Sequence, residues 1–285
     1  MHVARVSLTD CERHGRFGIF AIGDLHADSK SFQEDRLRQW VQYICRYRGQ
    51  AVAIAVGDYA NGQTPGHKHF DTDATRVDYL TNMDSYVKHS LAHVERLLKP
   101  LQEAGIPLVF IEGNHDRMMG WVGYTAMLSD RLGGHFLGNA GFVHVHSGDG
   151  SNTPYTTTIF AHHGSKGGTT PGPKVNAMQG LITAWDADCY IAGHVHDADL
   201  RIIPRYGVAR FGSRAKDSGD GHGVTRKHIA LYRAPSFLDR VPMGYSTYAD
   251  RKEYGTADEG LMWAEYRPRS RTFKRHEFIP KRSAA

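Results

Sequence analysis

The sequence predicts an α/β chain built as a four-layer αββα sandwich, two mixed β-sheets face to face with helices outside. Through residue 192, short apolar runs alternate with longer segments of helical spacing, the pattern of an α/β fold. Beyond residue 200 the pattern changes to short strand-like runs between turns, which points to a second, more antiparallel sheet. A third feature locates the chemistry: five of the apolar runs end directly in clusters of Asp, Asn and His.

Taken in order, Phe17–Ile22 is an apolar run ending in GDLH. Residues 32–48 have helical spacing, with Phe32, Leu37, Trp40, Val41 and Ile44 on one side. Residues 51–56 are continuously apolar and end in GDY. Residues 74–104 read as mostly helical, with Leu91, Val94, Leu97, Leu98 and Leu101 as the apolar face. A third run, 107–111, ends in EGNHD, and 121–132 reads as another helix. Residues 142–146 and 157–161 are strand-like, 175–185 helical, and 189–192 a strand that enters GHVH. The later strands are expected at 200–203, 208–211, 228–232, 261–266 and 272–278. No repeat or linker divides the chain. The expected organisation is one domain over 1–285, with a metal-site core at 17–200 and a strand-rich basic part at 200–285.

The 285 residues, 40% of them hydrophobic, suffice for a sizeable core. No stretch reaches the roughly 18 apolar residues of a membrane helix. The first residues carry charge but no apolar secretory segment, and Cys11, Cys45 and Cys189 are odd in number and widely spaced. The expected location is cytoplasmic, with the cysteines as small buried residues. Charge is uneven. From Leu200 onward there are 18 basic and 9 acidic residues, giving +9; the preceding part has 17 and 21, giving −4. An acidic first part suits a cation site, and a basic second part suits a polyanion such as nucleic acid.

The 18 histidines sit inside short motifs rather than in a run. Asp24 and His26 are two apart at one strand end, where strand alternation would point both to the same side. Asp58 ends the next strand, Asn114 and His115 the third, His162 and His163 a later one, and His194 and His196 are again two apart. In α/β sheets, ligand sites gather at the carboxyl ends of strands. If the five ends lie along one edge, they bring together two carboxylates, an amide oxygen and several imidazoles. Such O/N donors without thiolate suit Mn, Fe, Zn, Ni or similar ions rather than Ca. The donors exceed the need of one ion, so two ions sharing a carboxylate are expected.

In this order, GDLH, GDY, GNHD, AHHG and GHVH resemble the signature of the calcineurin-like metallophosphoesterase family. The resemblance spans residues 23–196. It implies the αββα sandwich, and hydrolysis of a phosphate ester through metal-bound hydroxide. It also implies that Asp24, His26, Asp58 and His196 hold the first metal, Mn being favoured. By the same resemblance, Asp58 is expected to bridge, and Asn114, His194 and one AHHG histidine to hold the second. The first histidine of such a pair is usually the ligand, so His162 is expected there, with His163 as neighbour or substrate contact. His115 is implied as the acid near the leaving oxygen. Arg117 and Lys166 are candidate substrate contacts. Asp116 is expected to support or cap rather than ligate, and Tyr59 to pack. His67, His69, His89 and His93 are expected on the surface or a helix face, and His144 and His146 on a strand.

GNHD, in place of the GNHE of protein phosphatases, points toward a phosphodiesterase, and GDYANG departs from their GDxVDRG. A phosphomonoesterase or cyclic-nucleotide hydrolase is the alternative, and a non-catalytic scaffold the third reading. The Gly-rich 162–174 segment could act as a lid offering Lys166 and Lys174. The mixed aromatic and basic stretches 205–216 and 267–278 extend the phosphodiesterase reading to a nuclease, though an edge strand exposes Arg and Lys in any case.

Overall fold

The computed structural model describes residues 1–63, 65–67, 70–118, 123–148, 155–164, 171–208, 224–239 and 260–281. Its strands are β1 (His2–Leu8), β2 (Phe17–Ile22), β3 (Ala51–Ala55), β4 (Leu108–Phe110), β5 (His135–Phe136), β6 (Ala140–Ser147), β7 (Tyr155–His162), β8 (Cys189–Ala192), β9 (Asp199–Val208), β10 (Val224–Arg233), β11 (Leu261–Arg267) and β12 (Thr272–Phe278). The helices are α1 (Cys11–His14), α2 (Glu34–Cys45), α3 (Val77–Leu80), α4 (Tyr86–Glu103), α5 (Asn114–Met118), α6 (Tyr124–Arg131) and α7 (Pro171–Ala184).

The strands form two mixed six-stranded sheets, ordered β1-β6-β7-β8-β10-β9 and β12-β11-β2-β3-β4-β5. The alternation of side chains along each strand builds the layers. In β3, Ala51, Ala53 and Ala55 face α2 and α4, joined there by Phe20, Trp40, Leu97 and Leu101. Val52 and Ile54 face the other sheet, meeting Val143, Val145, Ile159 and Ile191. Both faces of β2 and β3 are therefore covered, and their sequences read as continuous apolar runs rather than alternating ones. Beyond the second sheet, Phe160, Tyr190 and Leu231 pack with Met178 of α7. Burying each such large side chain contributes roughly 1.5–3 kcal/mol.

The expected sandwich of two mixed sheets with outer helices is present, but its assembly differs in one respect. The later strands do not form a sheet of their own: β9 and β10 complete one sheet, β11 and β12 the other. The runs expected at 200–203 and 208–211 begin as a single strand, β9, since Pro204 costs no ladder bond on an edge; residues 209–211 lie outside the described residues. The helix expected over 74–104 is broken into α3, a 3-10 turn at Met83–Ser85 and α4. Helix α7 starts four residues before the expected helix, at Pro171, whose fixed φ and missing N–H suit a first helical position. Strand β1 was not expected, although Ala4, Val6 and Leu8 alternate inward along it. Among the described residues no helix is long and apolar enough to cross a membrane.

Candidate metal centre

The five polar clusters meet where the two sheets come together. β2, β3 and β4 of one sheet lead into Asp24 and His26, Asp58, and Asn114 and His115. β7 and β8 of the other lead into His162 and His163, and His194 and His196. The single edge expected from the sequence is therefore two edges, one from each sheet.

The two-residue spacing in GDLH and GHVH also works differently from strand alternation. Asp24, His26, Asp58, His194 and His196 all lie past their strand ends with left-handed backbone, φ 49°, 45°, 55°, 73° and 52°. Arg271 is the one other non-glycine residue with positive φ among those described. Each such conformation costs on the order of 1–2 kcal/mol, so the surroundings must impose it. Asp24 N–H donates to Gly57 O and His26 N–H to Asp58 O, each at 3.0 Å. The Asp24 carboxylate accepts the His194 amide at 2.9 and 3.0 Å.

Two ligand-type clusters result. Asp24, His26, Asp58 and His196 form one, Asp58, His163 and His194 the other; within each, donor atoms lie within 4.8 Å of one another. Asp58 belongs to both. Asn114 adjoins the second, its Oδ1 lying 3.0 Å from His163 Nε2. His26 Nε2 is 3.3 Å from His196 Nε2 and 3.9 Å from Asp58 Oδ2. The far nitrogens of two rings are occupied by acceptors: His26 Nδ1 donates to Asn61 Oδ1 at 2.8 Å and His163 Nδ1 to Val56 O at 2.6 Å. Each of these rings therefore turns its Nε2 toward the cluster.

Electrostatics point the same way. Burial, with Asp58 nearby, pushes the Asp24 carboxyl up to about 8 despite the opposing His163. Burial also raises Asp58, but the His163 hydrogen bond and charge outweigh it and hold that carboxyl below the usual range. Burial, then His115, lowers His26 to about 3, so its ring is neutral. His163 goes up to about 9, since the hydrogen bond and charge of Asp58 exceed the effect of burial. Asp24 and His163 thus hold protons that bound cations would replace, within a donor set of two buried carboxyls and several imidazoles.

The sequence favoured His162 as ligand; of the two histidines it is His163 that joins a ligand-type cluster. His163 is 3% exposed with Nε2 3.2 Å from Asp58 Oδ2. His162 Nδ1 accepts the Gly164 amide at 2.7 Å, and His162 joins neither cluster. The reason is strand phase: His162 ends β7 on the α7 side with Phe160, and the next residue turns inward. His115 N–H donates to Asp58 Oδ1 at 2.9 Å, and its Nδ1 to Asn61 O at 2.9 Å. Arg117 is half exposed, with Nε 3.8 Å from Glu112. Lys166, His69 and the Lys174 side chain lie outside the described residues, as do 209–216 of the aromatic and basic stretch.

The supporting residues behave as follows. Asp116 accepts three backbone amides, and Tyr59 packs at 0% exposure with its hydroxyl on Ala55 O and Ile111 O. Of the two places expected for His93, surface or helix face, it takes the second: it lies on α4, 3% exposed between Tyr79 and Glu34. Asn61, which holds both His26 and His115, was not singled out from the sequence; an amide three residues after Asp58 was its one signal.

The profile of the calcineurin-like phosphoesterases matches residues 17–198. No curated protein matches the chain. Among solved structures, it is similar to calcineurin-like phosphoesterase YfkN from Bacillus subtilis, at 11% identity and TM-score 0.45, covering 92% of this chain and 88% of that one. It is also similar to a conserved uncharacterized protein, described as a predicted phosphoesterase, from Streptococcus pneumoniae. There the identity is 12% and the TM-score 0.33, over 92% of this chain and 98% of that one.

Proposed function

The chain belongs to the calcineurin-like phosphoesterase family, and from that premise we propose that it is a two-metal phosphodiesterase, extending to nucleic acid as substrate. Metal-dependent hydrolysis of a phosphate ester follows from the family and from the donor clusters. The observation that carries the two-metal reading is Asp58, common to both clusters. We assign Asp24, His26, Asp58 and His196 to the first metal, and Asp58, Asn114, His163 and His194 to the second, with Mn as the favoured ion and Fe, Zn or Ni as alternatives. His163 replaces His162 in this assignment, and His162 becomes a candidate substrate contact beside Arg117.

Two such cations, when bound, neutralise the anionic phosphate and lower the pKa of coordinated water. The protein's own residues supply orientation and a proton. With the His115 Nδ1–H engaged by the Asn61 carbonyl, the imidazolium form of His115 would give its second proton, at Nε2, to the leaving oxygen and remain neutral with Nδ1–H in place. Asn114 contributes a neutral oxygen, which avoids a third carboxylate in a site where Asp24 is already pushed up. The diester preference rests on GNHD in place of GNHE and on GDYANG in place of GDxVDRG. The nucleic-acid extension rests on the basic later part; in β11–β12 and their turn, Arg267, Arg269, Arg271, Lys274 and Arg275 are exposed.

The test is metal-stripped protein given Mn, Zn, Fe or Ni singly, assayed on bis(p-nitrophenyl) phosphate and p-nitrophenyl phosphate beside Asn114→Ala and His115→Ala. Metal-dependent turnover that favours the diester and collapses in both variants is expected. Preference for the monoester moves the assignment to a phosphomonoesterase, and no turnover with two ions bound makes the chain a scaffold.

A further inference from the structure

We propose that Asn61 is a positioning residue that sets the tautomers of two imidazoles at once, His26 through its side-chain oxygen and His115 through its backbone carbonyl. The proposal rests on reading His26 as a metal ligand. The geometry is specific. Asn61 Oδ1 accepts from His26 Nδ1 at 2.8 Å, and Asn61 O accepts from His115 Nδ1 at 2.9 Å. The two rings stand edge to face with centroids 5.0 Å apart. A backbone carbonyl can only accept, so the proton of neutral His115 sits on Nδ1. The reactive nitrogen of each ring is then Nε2.

Asn61 is itself anchored from behind. Its amide N–H donates to Asp28 Oδ1 at 2.7 Å, and the Tyr86 hydroxyl donates to Asp28 Oδ2. The same hydroxyl accepts the Gly62 amide at 3.2 Å. Asp28 is 2% and Tyr86 3% exposed. Tyr86 opens α4, so the loop after β3 is fastened to that helix through a carboxylate from the loop after β2. The N–H, C=O and Oδ1 of Asn61 are thus all engaged, one by the scaffold and two by the site. The two imidazoles respond differently to substitution, because the acceptor for His26 is a side chain and the acceptor for His115 is not.

Metal-free protein, Asn61→Leu and Asn61→Asp are titrated with Zn2+ against a chromophoric chelator. Long-range 15N–1H NMR of the zinc-loaded proteins reads the histidine tautomers. Asn61→Leu should weaken one of two zinc equivalents by about 10–100-fold, the usual cost of losing an outer partner of a ligand histidine. The other equivalent should stay within about threefold. Asn61→Asp, which retains an acceptor oxygen, should stay within about threefold on both. The His115 ring should be Nδ1-protonated in all three proteins, and His26 should lose that form in Asn61→Leu alone. Unchanged zinc affinity in Asn61→Leu, equal losses in Asn61→Asp, or a parent His115 protonated at Nε2 but not at Nδ1 would each overturn the proposal. Neither readout needs turnover, so these results with no ester hydrolysis would sink the phosphodiesterase reading and leave this one standing. A parent that binds no zinc would sink both.

Discussion

The amide N–H of Asp58 donates to Asp116 Oδ2 at 3.0 Å, so the residue shared by the two clusters is held at its backbone by a carboxylate from the next motif. The same oxygen accepts the Gly113 amide at 2.8 Å, and Oδ1 accepts the Tyr59 amide at 2.9 Å. Both carboxylate oxygens face donors, so Asp116→Asn must turn an NH2 group toward an N–H whichever way it lies. The expected cost is about 1–3 kcal/mol, with weaker binding at both metal positions because Asp58 serves both. Thermal unfolding and metal titration of the variant check this; an unchanged midpoint and affinity would mean the loop is held without Asp116.

Gly113 and Gly57 bring two loop backbones into direct contact. A Cβ on Gly113 would fall on the Asp58 amide nitrogen and Oδ1, and Gly57 has φ 97°. Gly113→Ala should therefore displace Asp58 and abolish binding of both metals while far-UV circular dichroism stays close to that of the parent. Gly180, inside α7 with open space where its Cβ would stand, is the control. Gly180→Ala should gain about 0.5–1 kcal/mol from helix propensity. Full metal binding by Gly113→Ala would refute the role given to the contact.

The parts of the fold that the sequence disclosed are those with one dominant signal. β2, β3 and β8 are apolar on both faces, and α2 carries Leu37, Trp40, Val41 and Ile44 at helical spacing, all buried. What stayed hidden depends on partners distant in the chain. The division of the later strands between two sheets is set by pairings such as Ala264 with Ile19 and Ala230 with Cys189, which no local pattern encodes. The motif residues Asp24, His26, Asp58, Asn114, His194 and His196 were visible because they cluster in sequence. The choice between His162 and His163 was not, since it turns on the phase at which β7 ends. Asn61 was hidden for a related reason, because half of its function is carried by a backbone carbonyl that any residue possesses.

That choice between the two histidines makes a sharp comparison. His163→Ala removes a ring buried against Asp58 and should drop the metal content from two ions to one. Its loss of turnover should exceed the roughly 10–100-fold typical of outer-shell changes. His162→Ala removes a ring bonded through Nδ1 to the Gly164 amide and should keep both ions, with the effect falling on KM. Metal content is read by elemental analysis after gel filtration. The opposite pattern would return His162 to the ligand set and His163 to the substrate side.

Metal-free protein should lose stability as the pH rises from about 6.5 to about 9. Asp24 is raised to about 8 and Asp116 to about 7, both by burial first, and His163 to about 9 through Asp58. In the unfolded chain these groups titrate near 3.8, 3.8 and 6.5. Over this window the folded state therefore holds more protons than the unfolded one, and stability falls with rising pH. His26, lowered to about 3, is neutral in both states above pH 6.5 and adds no slope there. Bound cations replace those protons, so the metal-loaded protein should show little such decline and its apparent metal affinity should rise with pH. Thermal midpoints in chelator should drop by at least about 5 °C across the window, a few kcal/mol at this chain length, while midpoints with metal hold steady. Parallel pH profiles with and without metal would show that the two clusters do not form the cation site.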